Sequence, residues 1–230
     1  MRLFYLPQRL YGSIMEIIPS LSFKQGSPVV VENGRYTSLI ENKDYSDIND
    51  IMEPLADYEK LYLFDIDGIE SNRLQSEVIR RLSARKDVWA DIGSRDIDTI
   101  IDAYVIGADR VVVSTRRMPD LQLLKDAVDM SDRMVFSIDH KNGIISPKNN
   151  VASLKIYDII DKALDIGIDT FVLLDHSKEP FDMDIVASLP DGDHSLYIGG
   201  RDLNKLNDLP DNINGIILSF QEVLERQKVD

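Results

Sequence analysis

Val135-Phe-Ser-Ile-Asp-His-Lys-Asn-Gly143 is an apolar run that ends in a carboxylate, Asp139, and then turns through a charged loop to a glycine. A buried strand delivers an acid to a site at its C-terminal end in this way. The pattern occurs once before, in Ile17-Ile-Pro-Ser-Leu-Ser-Phe-Lys-Gln-Gly26. Lys24 falls on Lys141 and Gly26 on Gly143, but Ser22 stands where Asp139 stands. A hydroxyl in place of a carboxylate sets the functional question for the whole chain.

Outward from these two stretches the sequence alternates short apolar runs with amphipathic ones. Strands are expected at Glu16–Leu21, Leu61–Asp65, Val88–Ile92, Arg110–Ser114, Met134–Ile138, Thr170–Leu174, Ser195–Ile198 and Gly215–Leu218. Apolar residues at helical spacing fall between them, as in Ile97, Ile100, Ile101 and Tyr104. Helices are expected near 48–55, 72–84, 96–106, 120–128, 151–166, 182–188, 202–206 and 220–227, with Gly107 and Gly167 as stops. Val29–Val31 reads as an extra β-like segment before the turn at 32–35. Strands that are apolar on both faces and alternate with helices form a parallel sheet. Eight such cycles suit a closed (β/α)8 TIM barrel, with its site at the C-terminal ends of the strands. An open doubly wound sheet calls for a G-x-G-x-x-G turn after the first strand, and none is present. The expected domain is a single barrel over residues 15–230, preceded by an N-terminal extension at 1–14 that matches nothing downstream.

Composition limits the function classes. The 230 residues are 43% hydrophobic and 29% charged, enough for a sizeable core without staples. There is no cysteine, which excludes disulfides, thiolate chemistry and cysteine-ligated zinc. No apolar stretch approaches the roughly 20 residues of a membrane helix, and Met1–Ile14 lacks the apolar core of a signal peptide. A cytoplasmic protein is the expectation, with no membrane partner. A net charge of −14 opposes binding to nucleic acid. In so acidic a chain, Arg95, Arg116, Arg117 and Arg201, all placed after strand ends, point to an anionic ligand.

The two halves of the chain resemble each other. Ile92-Gly-Ser-Arg-Asp-Ile-Asp98 parallels Ile198-Gly-Gly-Arg-Asp-Leu-Asn204, and Arg110-Val-Val-Val-Ser-Thr115 parallels Gly215-Ile-Ile-Leu-Ser-Phe220. Phe64-Asp65 parallels Leu174-Asp175, and Ser22 parallels Asp139. This is the signature of a duplicated half-barrel. Glycines after strands let backbone N–H groups approach an anion. One phosphate is therefore expected at Gly93, Ser94, Arg95, Ser114 and Thr115, and another at Gly199, Gly200, Arg201 and Ser219.

Taken in order, Ile18-Pro19, Phe64-Asp-Ile-Asp-Gly68, Ile92-Gly-Ser-Arg95, Ser137-Ile-Asp139, Leu174-Asp175 and Ile198-Gly-Gly200 resemble the motifs of the histidine-biosynthesis barrels. These are ProFAR isomerase (HisA-type) and the cyclase subunit of imidazole glycerol phosphate synthase. The family pattern reads I-P-x-x-D, V-D-x-D-G-A and G-G-G-I-R at the first three strands. Asp65-Ile-Asp67-Gly68 makes the isomerase branch the nearer one. The resemblance implies an intramolecular aldose–ketose (Amadori) isomerase acting on a phosphorylated ribosyl compound with two phosphate sites. It implies carboxylates at the ends of strands 1 and 5, positions held here by Ser22 and Asp139, and it places Leu174 where the family has threonine.

Two alternatives stand beside it. One is a paralogue without the histidine-pathway activity that acts on or binds another phosphorylated metabolite, for instance in cofactor biosynthesis. The other is a non-catalytic partner subunit. The candidate catalytic residues are Asp139, Ser22, Asp175, His176 and Asp65. His140 and His176 each follow a strand-terminal aspartate. They read either as an acid–base or metal cluster, or as outward residues beside an inward aspartate. Asp67 reads as a turn residue, His194 as loop surface and Trp89 as packing. No metal or cofactor is expected, and the oligomeric state stays open between monomer and homo-oligomer.

Overall fold

The structure, a computed structural model, describes residues 15–32, 35–39, 48–177, 181–187, 189, 192–200, 203 and 209–229. The elements run in order β1 (Glu16–Lys24), β2 (Ser27–Glu32), β3 (Arg35–Ser38), α1 (Ile48–Met52), β4 (Lys60–Asp65), α2 (Ile66–Ser71), α3 (Ser76–Ser83), β5 (Asp87–Asp91) and α4 (Ile97–Ile106). They continue with β6 (Arg110–Ser114), α5 (Gln122–Met130), β7 (Met134–His140), α6 (Asn149–Ala152), α7 (Ile156–Ile166), β8 (Thr170–Asp175), α8 (Met183–Ala187), β9 (Ser195–Gly199), β10 (Gly215–Ser219) and α9 (Phe220–Val229).

Strands β1, β4, β5, β6, β7, β8, β9 and β10 pair in parallel, each with the next, and β10 returns to β1 with Ile217 opposite Ile18. The expected (β/α)8 barrel is therefore closed. Two apolar layers hold it. Ile18, Tyr62, Trp89, Val112, Val135, Val172, Leu174, Tyr197 and Ile217 fill the interior. Their neighbours along each strand, such as Leu61, Val113, Ile138 and Leu173, pack against the helices. The alternation follows from the pleat, which sends successive side chains to opposite faces. At the N-terminal end Glu16 closes the interior. Its carboxylate receives Lys60 Nζ at 2.8 Å and the Tyr197 hydroxyl at 2.9 Å, and Tyr197 meets Trp89 edge-on at 5.0 Å.

Several local expectations needed revision. The β-like segment at 29–31 is one arm of an antiparallel hairpin, β2–β3, that extends from the C-terminal end of β1. The helix expected at 72–84 is α3, which starts only at Ser76, and an additional short helix, α2, precedes it. Asp65 caps α2 by accepting the Gly68 N–H at 2.9 Å, so that helix starts directly after β4, and Asn72 ends it at φ +55°. The helix expected at 151–166 is divided into α6 and α7, with the break at Ser153–Lys155. Gly107 and Gly167 do close α4 and α7. Residues 1–14 and nearly all of the helix expected at 202–206 lie outside the described residues.

Candidate active site

The pleat decides which strand-end side chains share the barrel mouth. In β7, Val135 and Ser137 face inward, so Asp139 does too. In β5, Trp89 faces inward and so does Asp91. In β6, Val112 is inward and Ser114 follows it. Since β5, β6 and β7 are neighbours, the two carboxylates flank Ser114 and the residue beyond it, Arg116.

Arg116 joins the two acids. Its Nη2 donates to Asp91 Oδ2 at 2.7 Å, and its Nη1 lies 3.5 Å from Asp139 Oδ1. Both carboxylates are fully buried, while the arginine is 22% exposed and covers them. Asp139 has further partners. Ser114 Oγ donates to its Oδ2, and His176 Nε2 lies 2.6 Å from its Oδ1. Its backbone N–H donates to Thr115 Oγ1 at 2.9 Å.

These surroundings drive the two acids apart. Burial alone raises an aspartate. For Asp139, burial is outweighed by the Arg116 charge and by the bonds from His176 and Ser114, which hold its carboxyl below the usual range. For Asp91, burial dominates over Arg116, and the neighbouring Asp139 charge adds to it, pushing the carboxyl up to about 6. Burial also works against the Arg116 cation, but the two carboxylates more than compensate and raise its pKa. Two titratable groups held apart in this way are the pattern expected of acid–base chemistry.

The other sequence candidates fall into three groups. Ser22 lies half-buried on the inward face of β1, four strands from β7 and so across the barrel from Asp139. His176 reaches the mouth, as its bond to Asp139 shows. Asp65 and Asp175 do not. Phe64 and Leu174 are the inward residues of their strands, so the pleat turns the aspartates that follow them outward. Asp65 is spent on the chain itself, accepting the backbone N–H groups of Gly68 and Gln75 and the Gln75 side chain. Asp175 accepts the N–H and Oγ of Ser177, both at 2.8 Å, and lies 3.9 Å from His140 Nδ1. The reading that set Asp175 inward and His176 outward is thus reversed. Trp89 lines the barrel interior as packing. Asp67, expected in a turn, sits in α2 and accepts the Gln25 N–H at 2.8 Å.

The anion positions also differ from expectation. Arg95 turns back and donates to the carbonyls of Ile69 (2.7 Å), Gly93 (2.9 Å) and Gly68 (3.1 Å) and to Asn72 Oδ1. It clasps the C-terminal end of α2 instead of facing the mouth. Gly93, at φ +65°, passes so close to α2 that a Cβ there would stand 2.6 Å from Ile69 Cα, and its N–H donates to Asp91 Oδ1 at 3.1 Å. Ser94 Oγ is buried without a hydrogen-bond partner. The Thr115 N–H is taken by Ser137 O at 2.9 Å. At the other end, Gly199 and Gly200 follow β9, and a Cβ on Gly199 would stand 2.5 Å from Leu174 Cδ2. Ser219 caps α9, giving its N–H and Oγ to Glu222 Oε2 at 2.9 and 2.7 Å. Arg201 lies outside the described residues.

Sequence reasoning missed Asp91 and the bridging role of Arg116. Ending the strand at Ile92 hid a strand-terminal carboxylate that the rule applied to Asp139 would have found. The hairpin is tied down beside the mouth. Lys24 Nζ lies 2.5 Å from Glu70 Oε2, and the Tyr36 hydroxyl donates to the same carboxylate. Burial, and then this bond, push the Tyr36 phenol up to about 12. Among the described residues no cluster of three or more His, Asp or Glu side chains is arranged to hold a metal ion, and no helix is long and apolar enough to cross a membrane.

An interior carboxylate at the end of the fifth barrel strand, in a closed eight-stranded barrel, is the arrangement that the sequence motifs imply. Residues 16–181 match the profile of the histidine biosynthesis protein family. The chain belongs to that family. It is 27% identical over 241 positions to the 1-(5-phosphoribosyl)-5-((5-phosphoribosylamino)methylideneamino) imidazole-4-carboxamide isomerases of Bacillus thuringiensis (strain Al Hakam) and Bacillus cereus (strain 03BB102). It is 26% identical to the isomerase of the same name from Bacillus cereus (strain ATCC 10987 / NRS 248). Each alignment covers 94% of this chain and 100% of the relative.

Proposed function

We propose that this protein is an aldose–ketose isomerase that carries out an Amadori rearrangement on an N-substituted 5-phosphoribosylamine. The observation that carries the reading is the buried, ionised Asp139 paired with His176 at 2.6 Å in the barrel mouth. The relatives support it, because the name they carry describes an isomerase of a compound with a phosphoribosylamino arm. The same name favours an enzyme over a non-catalytic partner.

In this reading His176 and Asp139 move the first two protons. The ring oxygen takes a proton from His176 as the C1–O bond breaks and the nitrogen lone pair closes C1=N. Asp139 then takes the proton from C2, and the C2–H electron pair forms the enol. Protonation at C1 and loss of the enol proton leave the 1-amino-1-deoxy ketose, so no co-reactant is consumed. Ser22 stands on the opposite wall, where its hydroxyl orients the sugar without titrating. Gly199, Gly200 and Arg201 are the proposed phosphate contacts after β9, with Ser94 Oγ as a free polar group on the other side.

The test is loss of the C2 proton with solvent deuterium entering at C1. The purified protein is incubated in D2O with ProFAR and with N-phenyl-5-phosphoribosylamine, and deuterium in the ketose product is followed by NMR. Wild type should label at least one product, and Asp139→Asn should lose roughly 10²-fold or more of that rate. No labelling from either compound, or an Asp139→Asn variant as fast as wild type, sinks the reading.

A further inference from the structure

We propose that the β5–β6 end of the barrel mouth takes no phosphate, because Asp91 is its built-in anion, and that the substrate carries one phosphate and an uncharged or cationic far end. The inference rests on the phosphoribosyl reading above and narrows the substrate class within it.

The positions expected to cradle a phosphate at this end are Gly93, Ser94, Arg95, Ser114 and Thr115. The Gly93 N–H is given to Asp91 Oδ1. Arg95 spends its guanidinium on Asn72 and three backbone carbonyls. Ser114 Oγ serves Asp139, and the Thr115 N–H serves Ser137 O. Arg116, the cation that reaches deepest, is held by Asp91 at 2.7 Å and lies 3.5 Å from Asp139. Arg117 lies within electrostatic reach of Glu70, whose carboxyl it helps to lower.

An anion therefore already occupies the cradle, and it is covalently part of the chain. A phosphate brought there would face two carboxylates sharing one guanidinium and would find the Gly93 N–H, the Arg95 guanidinium, Ser114 Oγ and the Thr115 N–H already engaged. Specificity built this way works by repulsion as much as by attraction. Of the positions expected to cradle the phosphate, Ser94 Oγ is buried without a partner, as are Arg116 Nε and Arg117 Nε, and Ser94 suits a neutral carbonyl or hydroxyl on the far end of the ligand. The G-G-G-I-R pattern of the related barrels, aligned on Arg95, begins with glycine where this chain has Asp91. That one side chain takes the Gly93 N–H and the Arg116 guanidinium.

The experiment is calorimetric titration with two stable ketose phosphates. One is 1-(phenylamino)-1-deoxyribulose 5-phosphate, with a single phosphate. The other is the isomerisation product of ProFAR, with a phosphate at each end. Wild type should bind the first at least as tightly as the second. Asp91→Gly should tighten the bis-phosphate roughly tenfold or more, the order expected for two regained charge-assisted bonds. It should leave the monophosphate within about threefold, since its phosphate sits at the other end. Asp91→Asn keeps the side-chain shape should the glycine variant not fold, and it should shift the bis-phosphate in the same direction. A wild-type preference for the bis-phosphate, or unchanged bis-phosphate affinity in a folded Asp91 variant, overturns the inference and leaves the isomerase reading standing. Failure of wild type to bind either compound overturns the phosphoribosyl reading, and the inference with it.

Discussion

Replacing Asp91 with asparagine should change how stability depends on pH. The Asp91 carboxyl is raised from 3.8 to about 6, chiefly by burial. Between those values the folded protein holds a proton that the unfolded chain has released. Stability contributed by this group is therefore complete below about pH 4 and is lost as pH rises through about 6. A shift of about two units corresponds to about 3 kcal/mol. Asparagine has nearly the same shape, can still accept the Gly93 N–H, and does not ionise. The stability of the variant minus that of wild type should thus be near zero at pH 4 and climb by up to about 3 kcal/mol by pH 7. Asp139 behaves oppositely. Its pKa is lowered, so its contribution is lost only as pH falls through its folded value, below the ordinary carboxylate range. Removing the Asp91 charge lowers it further and does not mimic the predicted slope. Urea denaturation followed by fluorescence of Trp89, the single tryptophan, at half-unit steps from pH 4 to 7.5 gives the comparison. A stability difference that stays flat across that range refutes the account of a buried carboxylate whose pKa is raised to about 6.

Three other expectations concern the remaining groups. Arg95→Ala should cost about 3 kcal/mol in urea denaturation, because it unpins α2, while affinity for a monophosphate stays within a few-fold; unchanged stability with lost phosphate binding would restore Arg95 as a ligand-binding residue. His176→Asn should slow loss of the C2 proton by roughly 10²-fold or more. It should also move the acid limb of the pH–rate profile upward, since the bond from His176 is one of the interactions that lower Asp139; an unmoved limb means that the 2.6 Å pairing does not set the Asp139 pKa. Ser22→Asp places a carboxylate across the barrel from Asp139, as the related barrels have it, and should raise turnover about tenfold; a slower variant shows that the opposite wall is adapted to a hydroxyl.

Much of the fold was legible because it rests on local chemistry. Runs such as Arg110–Ser114 and Gly215–Leu218 are too short and too apolar for anything but buried strands, and Ile97, Ile100 and Tyr104 recur at helical spacing. The short helix α2 and the break between α6 and α7 were not legible. The first is set apart by a tertiary bond, in which Gln75 closes back on Asp65 and fixes a loop between α2 and α3. Asp139 was found because it ends its strand and is followed by a glycine loop. Arg95 was misassigned because a basic residue after a glycine turn looks alike whether it faces a ligand or a helix end.

The sequence by itself determined that this chain closes a barrel, that it belongs with the histidine-biosynthesis barrels, and that Asp139 ends an inner strand opposite a serine. Only the tertiary structure decided which neighbours Asp139 has. Strands buried on both faces show no polar alternation, so nothing in Thr170–Leu174 says which residues look inward. That is why Asp175 and His176 exchanged places between reading and structure. The same holds for Asp91 and Arg116. Their pairing depends on β5, β6 and β7 lying side by side with their pleats in phase, and on burial deep enough to keep water from screening the charges. Side-chain type is written in the chain, but charge coupling depends on distance and burial, and those exist only once the barrel has closed.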